Sequence, residues 1–575
     1  NDLKKKIDSG QNPIIHNLNH HELIILEARA ADFEGCQTVS RPIRNYLTDY
    51  GLAPVLGYMS SITEKEWLAA QENYSINDYV GRSGLEQFYE NTLRKNPGSM
   101  RVEHDARGNI ISKNEAELPQ SGDSLVLWLD LELQKKLNDA IYQQLKNLGL
   151  TNAAAVALNP DTGGVLALVS LPDYNNNVFS EGSSEQIKNI INDYQSQPLF
   201  NRVISGQYLT GSTIKPFEAA AALQEKIINP DKQINCQGYI EVKNQYDPSI
   251  IYRYNDNHIH GLTDMRKAIA ESCNDYFYII GGGYNNQTGL GPTRIKKYLS
   301  LFGWDQPTGI DLPGEVAGFI PDPLWKKEKF AGTQDQTWTD GDTYNLAIGQ
   351  GFIGITPIEV ATAYAAIANG GILYEPRLVQ KIVDSAGNIV EEKKPSIKRQ
   401  NFIDSENLQV VREGMRHCVN GAGAPLASAL VLNSLGIPMA AKTGTAQLHK
   451  GPDGKDLLNS WVTVWAPYDH PQILLTIMME NVHEGTVAVL PVAKDVLDWY
   501  FNGRTNDAEK NQDDQNDANE NNNAQTQPAV GEDLQEPQQI EQQIQQIQNQ
   551  VNQLQNTLSF PIDANVNIPK HETDE

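Results

Sequence analysis

The sequence predicts an α+β protein: an antiparallel sheet with flanking helices and a helical subdomain, preceded by an irregular α+β region. Three observations carry that expectation. An apolar stripe of Leu133, Leu137, Ile141, Leu145 and Leu148 repeats at helical spacing, and the runs Ala153–Leu158 and Val165–Leu171 follow it around a turn-rich tip. An alanine-rich run over 218–223 follows Ser212. Near the end, three β-type runs over 439–447, 460–468 and 472–480 read as an antiparallel meander.

Residues 1–122 form the irregular region. Glycine, proline and aromatics over 46–58 read as loop, 63–73 and 84–93 as short helices, and 102–109 as a hairpin. From 123 to 503 the compact domain is expected. A strand over 123–130 leads into the amphipathic helix, which Gly149 stops, and then the hairpin. From Lys215 to about 350 the pattern reads as mostly helical, with Gly/Pro-rich connections at 281–291 and 307–323. A helix over 356–372 ends at Gly370-Gly371. After the meander, Val489, Val492, Ala493, Val496, Leu497 and Tyr500 read as a closing helix packed on the sheet.

Residues 504–538 are Asn, Asp, Gln and Glu with few apolars, a composition that predicts disorder. Ile540, Ile544, Ile547, Val551, Leu554 and Leu558 make a heptad seam within 539–559, read as either a short coiled coil that oligomerises the protein or docks a partner, or a lone helix. Residues 560–575 read as disordered.

Composition narrows the function. The formal net charge is -26, of which the segment 503–575, with 14 acidic and 3 basic residues, carries -11. The body is therefore acidic as well and has no basic cluster, which excludes nucleic acid as the main partner. Cys36, Cys236, Cys273 and Cys418 form no C-x-x-C pair and read as small buried residues. No run reaches the ~18 apolar residues of a membrane span, and no signal peptide is seen.

The chemistry centres on Leu209-Thr210-Gly211-Ser212-Thr213-Ile214-Lys215-Pro216. With Ser212 at a helix N-terminus, Lys215 lies one turn on and shares its face. An amine there can take the hydroxyl proton and make Ser212 a nucleophile, while free N–H groups at the helix start suit an oxyanion. S-x-x-K is common by chance, and the order and spacing of two further motifs give it weight. Ser272-Cys273-Asn274 lies 60 residues on, and Lys442-Thr443-Gly444-Thr445 lies 230 residues on.

With these three motifs the chain resembles the penicillin-binding proteins. Thr308–Glu315, read as T-G-I-D-L-P-G-E, Ile348-Gly349-Gln350-Gly351 and Thr356-Pro357 are similar to the class B, elongation-type branch, the penicillin-binding protein 2 group. Gly57-Tyr58 and Gly81–Glu86 are similar to its pedestal domain. The likeness covers roughly residues 29–502. Two departures stand out: Asn175-Asn176-Asn177 where relatives often have Asp-Pro, and Leu209-Thr210 in place of a common Pro-Pro.

The resemblance implies a penicillin-binding, serine β-lactamase-like transpeptidase domain on a pedestal. It implies a peptidoglycan D,D-transpeptidase in which Ser212 attacks the carbonyl between the terminal D-alanines of a stem peptide. Lys215 would be the base, depressed by burial and by the cation of Lys442. Ser272 would relay a proton to the leaving amine, and Asn274 would hold Lys215 and the substrate amide. Lys442, Thr443 and Thr445 would grip the terminal carboxylate, and the N–H groups of Ser212 and Thr445 would form the oxyanion hole. Gly444 is expected to let substrate backbone lie against the strand. β-Lactams would acylate Ser212, with no metal or cofactor needed. The resemblance also implies a membrane anchor upstream of Asn1, an extracytoplasmic site, and an elongation complex with a lipid-linked glycan polymerase. The alternatives are a D,D-carboxypeptidase or serine β-lactamase on the same scaffold, or an inactive cell-wall scaffold.

Overall fold

A computed structural model describes residues 20–28 and 44–504, apart from 77, 95–97, 106, 108–109, 119, 245–246 and 453. The chain divides into two compact units, residues 1–43 with 509–575, and residues 44–508. In the first, the helix His20–Ala28 is described. Of the acidic linker expected over 504–538, only Arg504 is described, and it ion-pairs with Asp130 at 2.6 Å; the rest of the linker, the heptad seam within 539–559 and residues 560–575 lie outside the described residues.

The second unit begins with short elements. Helices Ala53–Leu56, Glu64–Ala69, Gly84–Phe88 and Glu90–Leu93 alternate with two small antiparallel hairpins, one of them Ser99–His104 with Ile110–Glu117. Side-chain hydrogen bonds tie this region to the rest of the unit. Tyr89 Oη donates to Asp311 Oδ2 at 3.0 Å, and Asp311 also accepts from the N–H groups of Leu378 and Val379. Asn176 is buried and donates to Gly57 O at 2.9 Å, and Asn177 exchanges two bonds with the backbone of Tyr46. The Asn-Asn departure thus sits where the pedestal-like region meets the rest, each amide meeting backbone polar groups that burial would otherwise leave unpaired.

The sheet that organises the remainder has five strands. Helix α1 (Leu131–Leu148) comes first, N-capped by Asp130 and ended by Gly149 at φ 67°. Hairpin strands β1 (Ala153–Leu158) and β2 (Val165–Leu171) follow. Next in chain order come α2 (Lys215–Gln224), α3 (Met265–Glu271), α4 (Asn274–Gly282), α5 (Pro357–Ala368) and α6 (Ser405–Asn420). The meander β3 (Ala440–Lys450), β4 (Asp456–Ala466) and β5 (Ile473–Val482) precedes α7 (Gly485–Asp498). The strand order is β3-β4-β5-β1-β2, every pair antiparallel, with Leu474 opposite Leu158 and Met479 opposite Ala153 where β5 meets β1.

Both faces of this sheet are covered, which explains why β1 is apolar at every position. Ala153, Ala155 and Ala157 join a core with Leu133, Leu137 and Ile141 of α1 and Val489 and Val496 of α7. Ala154, Val156 and Leu158 join the other core, with Phe217 of α2 and Tyr364 of α5. The strand period of two therefore sorts one alanine-rich run between two helical layers. Each buried Leu of the α1 stripe contributes about 2 kcal/mol. On the second face, Phe217 packs edge-on to Phe302, Trp304 and Tyr364, with centroids 4.7–4.9 Å apart.

One expectation needs correction. The region after α2 is not mostly helical throughout. Ile234–Cys236 pairs with Gly261–Thr263, and Tyr239–Lys243 with Ile251–Asn255. These strands are short and their outer faces are exposed, so neither period of two nor of 3.6 is developed in the sequence.

Candidate active site

The turn that carries Ser212 is shaped by a glycine. Gly211 has φ 52°, and a Cβ there would come 2.5 Å from the carbonyl oxygen of Thr445 on β3. A residue without a side chain lets the turn touch the strand. Its N–H donates to Gly349 O at 2.9 Å. On either side, Trp461 Nε1 donates to Leu209 O at 3.0 Å and Tyr364 Oη donates to Thr213 O at 2.7 Å. Half-buried Ser212 lies in the single 3-10 turn Gly211–Ile214 that runs into α2. Pro216 falls in the first turn of α2, where its missing N–H costs least.

Lys215 is fully buried, and its Nζ donates to Asn274 Oδ1 at 2.6 Å, to Ser272 O at 2.6 Å and to Ser272 Oγ at 3.3 Å. Lys442 reaches the same hydroxyl from β3, with Nζ 2.8 Å from Ser272 Oγ, and donates to Thr443 O at 2.7 Å. The structure thus joins Lys215, Ser272, Asn274 and Lys442 in one hydrogen-bonded group, with Ser212 on the same turn as Lys215. Ser272 itself is the C-cap of α3 at φ 60°, ψ 37°. The left-handed backbone of a non-glycine costs about 1 kcal/mol. It turns the chain sharply, so that Cys273 N-caps α4, its Sγ accepting from Tyr276 N at 3.4 Å. That corner aims both Ser272 O and Oγ at the lysines.

Electrostatics favour a neutral amine here. Burial drives Lys215 down to about 8, against Asp256, Cys273, Glu218 and Asp275, which all favour its cation. Burial, and then repulsion from Lys215, drives Lys442 down to about 7. Two ammonium groups on one hydroxyl repel, so protons leave the pair rather than one residue. The sequence reading takes Lys442 as the cation and Lys215 as the amine. Burial lowers both amines, mutual repulsion adds to the fall at Lys442, and the acidic groups near Lys215 oppose its own fall. Glu218, one turn after Lys215, is fully buried, and burial pushes its carboxyl well up, toward the neutral form.

On β3, Thr443 is buried, with Oγ1 2.6 Å from Ser428 Oγ, and Thr445 is exposed. Gly444 does not face open space. A Cβ on it would come 2.6 Å from Thr213 Cγ2 and 2.8 Å from Thr210 O. Its lack of a side chain admits the Ser212 turn, not a substrate backbone, and corrects the expectation. Gly485, at the start of α7, abuts the Thr445 side chain in the same way, a Cβ there falling 2.2 Å from Oγ1.

Sequence reasoning also missed a cluster behind Ser272. Asp256, His260 and Cys273 bring ligand atoms within 4.8 Å of one another, a nitrogen, oxygen and sulfur set suited to a divalent ion such as zinc. His260 Nδ1 lies 2.7 Å from Glu271 Oε2, a partner that would orient the ring for a ligand on Nε2. The three residues are separated by loops and a helix, and their spacing carries no recognisable signature. From sequence alone Cys273 reads only as a small buried residue.

The family model for the penicillin binding protein transpeptidase domain matches residues 153–498, and the one for the penicillin-binding protein dimerisation domain matches residues 1–127. Haemophilus influenzae peptidoglycan D,D-transpeptidase MrdA is 33% identical over 487 residues, 81% of this chain and 70% of that protein. In a solved complex between Helicobacter pylori PBP2 and MreC, one chain superposes with TM-score 0.71 and 26% identity, over 85% of this chain and 84% of that one. A chain from a structure described as the structural coordination of polymerization and crosslinking by a peptidoglycan synthase complex gives TM-score 0.63 and 29% identity, over 77% and 74% of the two chains. Among the described residues, no helix is long and apolar enough to cross a membrane.

Proposed function

The chain belongs to the penicillin-binding proteins, in their class B, PBP2-type branch, and from that premise we propose how its own residues divide the work of a peptidoglycan D,D-transpeptidase. Ser212 Oγ attacks the carbonyl carbon of the penultimate D-alanine of a stem peptide. The neutral Lys215 amine accepts the hydroxyl proton. The N–H groups of Ser212 and Thr445 hold the oxyanion that forms. As the tetrahedral adduct collapses, the C–N bond breaks and the terminal D-alanine leaves with a proton passed through Ser272 Oγ. The amine of a second stem peptide then attacks the ester and regenerates Ser212. The observation that carries this reading is the convergence of Lys215 and Lys442, from two distant segments, on the one hydroxyl of Ser272.

The shared hydroxyl couples the two lysines in the same scheme. A substrate carboxylate arriving between Thr443, Thr445 and Lys442 favours the Lys442 cation. The repulsion then falls on Lys215, which gives up its proton when the carbonyl is in place. Substrate binding and activation of Ser212 are coupled through one pair of amines. Asn274 Oδ1 keeps Lys215 oriented whichever amine carries the charge.

The partners and location belong to the same reading. Known structures of relatives with MreC and within a peptidoglycan synthase complex support assembly with an elongation complex that contains a glycan polymerase. In that setting the site is extracytoplasmic and held by a membrane anchor upstream of residue 1. Intact mass spectrometry after penicillin, with the adduct mapped, tests the chemistry. A single stable adduct on Ser212 is expected, and none on Ser212→Ala. Adduct release within minutes would favour the β-lactamase alternative, and no adduct on folded protein would favour the inactive scaffold.

A further inference from the structure

Strand β3 is an edge of the sheet, hydrogen-bonded to β4 alone among the described strands. Backbone N–H and C=O groups of an antiparallel strand point to its two sides by turns, residue by residue. Three contacts identify which residues of β3 face the free edge. Thr443 O accepts Lys442 Nζ. Thr445 O is the atom that Gly211 approaches. The carboxamide of Gln350, oriented by its partners, donates to Gln447 O at 3.3 Å and accepts from Gln447 N at 2.8 Å. Residues 443, 445 and 447 therefore share the open edge. The Thr445 position is where the reacting peptide pairs in the reading above. The next position along, Gln447, is taken.

Gln350 is held firmly. It follows Gly349, whose φ is 72° and on which a Cβ would fall 2.1 Å from Gly211 O. Its own N–H donates to Asn345 O at 2.9 Å. The loop that reaches Gln447 is thus fastened to the nucleophile turn itself. Gln447 is also the last residue of β3 in regular register with β4, and the ladder shifts beyond it.

We infer that Gln350 is a specificity-determining residue: its carboxamide fills the backbone pairing position next to Thr445 on the cleft edge and limits strand pairing by the donor peptide to the residue under attack. A primary amide has the same donor and acceptor as a peptide group, so Gln350 stands in for a further pair of the ladder. The upstream residues of the stem peptide are left to leave the strand. Discrimination then falls on the terminal D-alanyl-D-alanine rather than on the peptide that precedes it. This inference rests on the transpeptidase reading.

The test compares donors of increasing length on the full chain. Acylation of Ser212 by peptides of two, three and five residues ending in D-alanyl-D-alanine is followed by competition against a fluorescent penicillin. Wild type is expected to gain less than about 2-fold from two to five residues. Gln350→Ala and the isosteric Gln350→Met, which free Gln447 N–H and C=O, are expected to raise the five-to-two ratio by about 5-fold, the scale of one or two net hydrogen bonds. A ratio unchanged or lowered in both folded variants overturns the inference and leaves the chemistry of Ser212 standing. If Ala loosens the loop, Met, with its near-equal volume, keeps the comparison. Failure of every donor to compete for wild-type Ser212 would instead sink the transpeptidase reading, and this inference with it.

Discussion

Gly444→Ala should cripple acylation while leaving every reacting group in place. The added Cβ would lie 2.6 Å from Thr213 Cγ2, 2.8 Å from Thr210 O and 3.2 Å from Trp461 Cβ. Carbon atoms rest at about 3.5–4.0 Å, so the strand and the Ser212 turn must part by about 1 Å. Neither neighbour yields cheaply. Thr213 Oγ1 bonds Thr210 O at 3.0 Å, and Trp461 Nε1 bonds Leu209 O at 3.0 Å. Overpacking of this kind costs about 1–3 kcal/mol. The catalytic effect is larger in the proposed mechanism, because its two oxyanion donors, the N–H groups of Ser212 and Thr445, lie one on the turn and one on the strand. A displacement near 1 Å costs about 100-fold in rate. The assay is a time course of labelling by a fluorescent penicillin, with a thermal melt on the same sample. Acylation at the wild-type rate in Gly444→Ala would refute the claim that close contact between β3 and the turn sets the site.

Other outcomes follow from the lysine pair and its hydroxyl. Lys442→Met is expected to melt at or above wild type, since an apolar side chain of similar size replaces a buried amine, and to label about 100-fold more slowly. Labelling should rise with pH through about 7 to 8, where the lowered lysines release protons. Both folded values lie below the unfolded lysine value of about 10.4, so the unfolded chain binds more protons in between and stability rises with pH across that window. Melting from pH 7 to 10 checks it, and the rise should shrink in Lys442→Met. Ser272→Ala loses the shared hydroxyl and should label about 100-fold more slowly. Ser272→Gly should label equally slowly yet melt higher than Ser272→Ala, since glycine accepts φ 60° without strain. Deletion of residues 505–575 is expected to leave penicillin labelling unchanged, as gel labelling will read.

What was legible in the sequence was local. The stripe on α1 and its stop at Gly149 follow from a period of 3.6 and a left-handed cap. The hairpin β1–β2 and the meander β3–β5 follow from their short apolar runs between turns. The four short strands between Ile234 and Thr263 escaped because each pairs through contacts its own residues do not announce. The motif residues were found as types in order, but the partners of Thr443 and the facing of Gly444 were not, since Ser428 and Thr213 belong to other segments.

The sequence by itself determined which groups are present: one hydroxyl at the head of an alanine-rich helix, two lysines, a Ser and an Asn, and the apolar runs that build two helical layers and a sheet. Tertiary structure alone decided that β5 lies beside β1, hundreds of residues away, and that both lysines meet at Ser272. It also decided that burial lowers both lysines and which glycine admits which neighbour. The physical reason is common to all four. A side chain's proton affinity and the room for a Cβ are set by burial and by charges and atoms a few ångströms off, and chain order does not encode who those neighbours are.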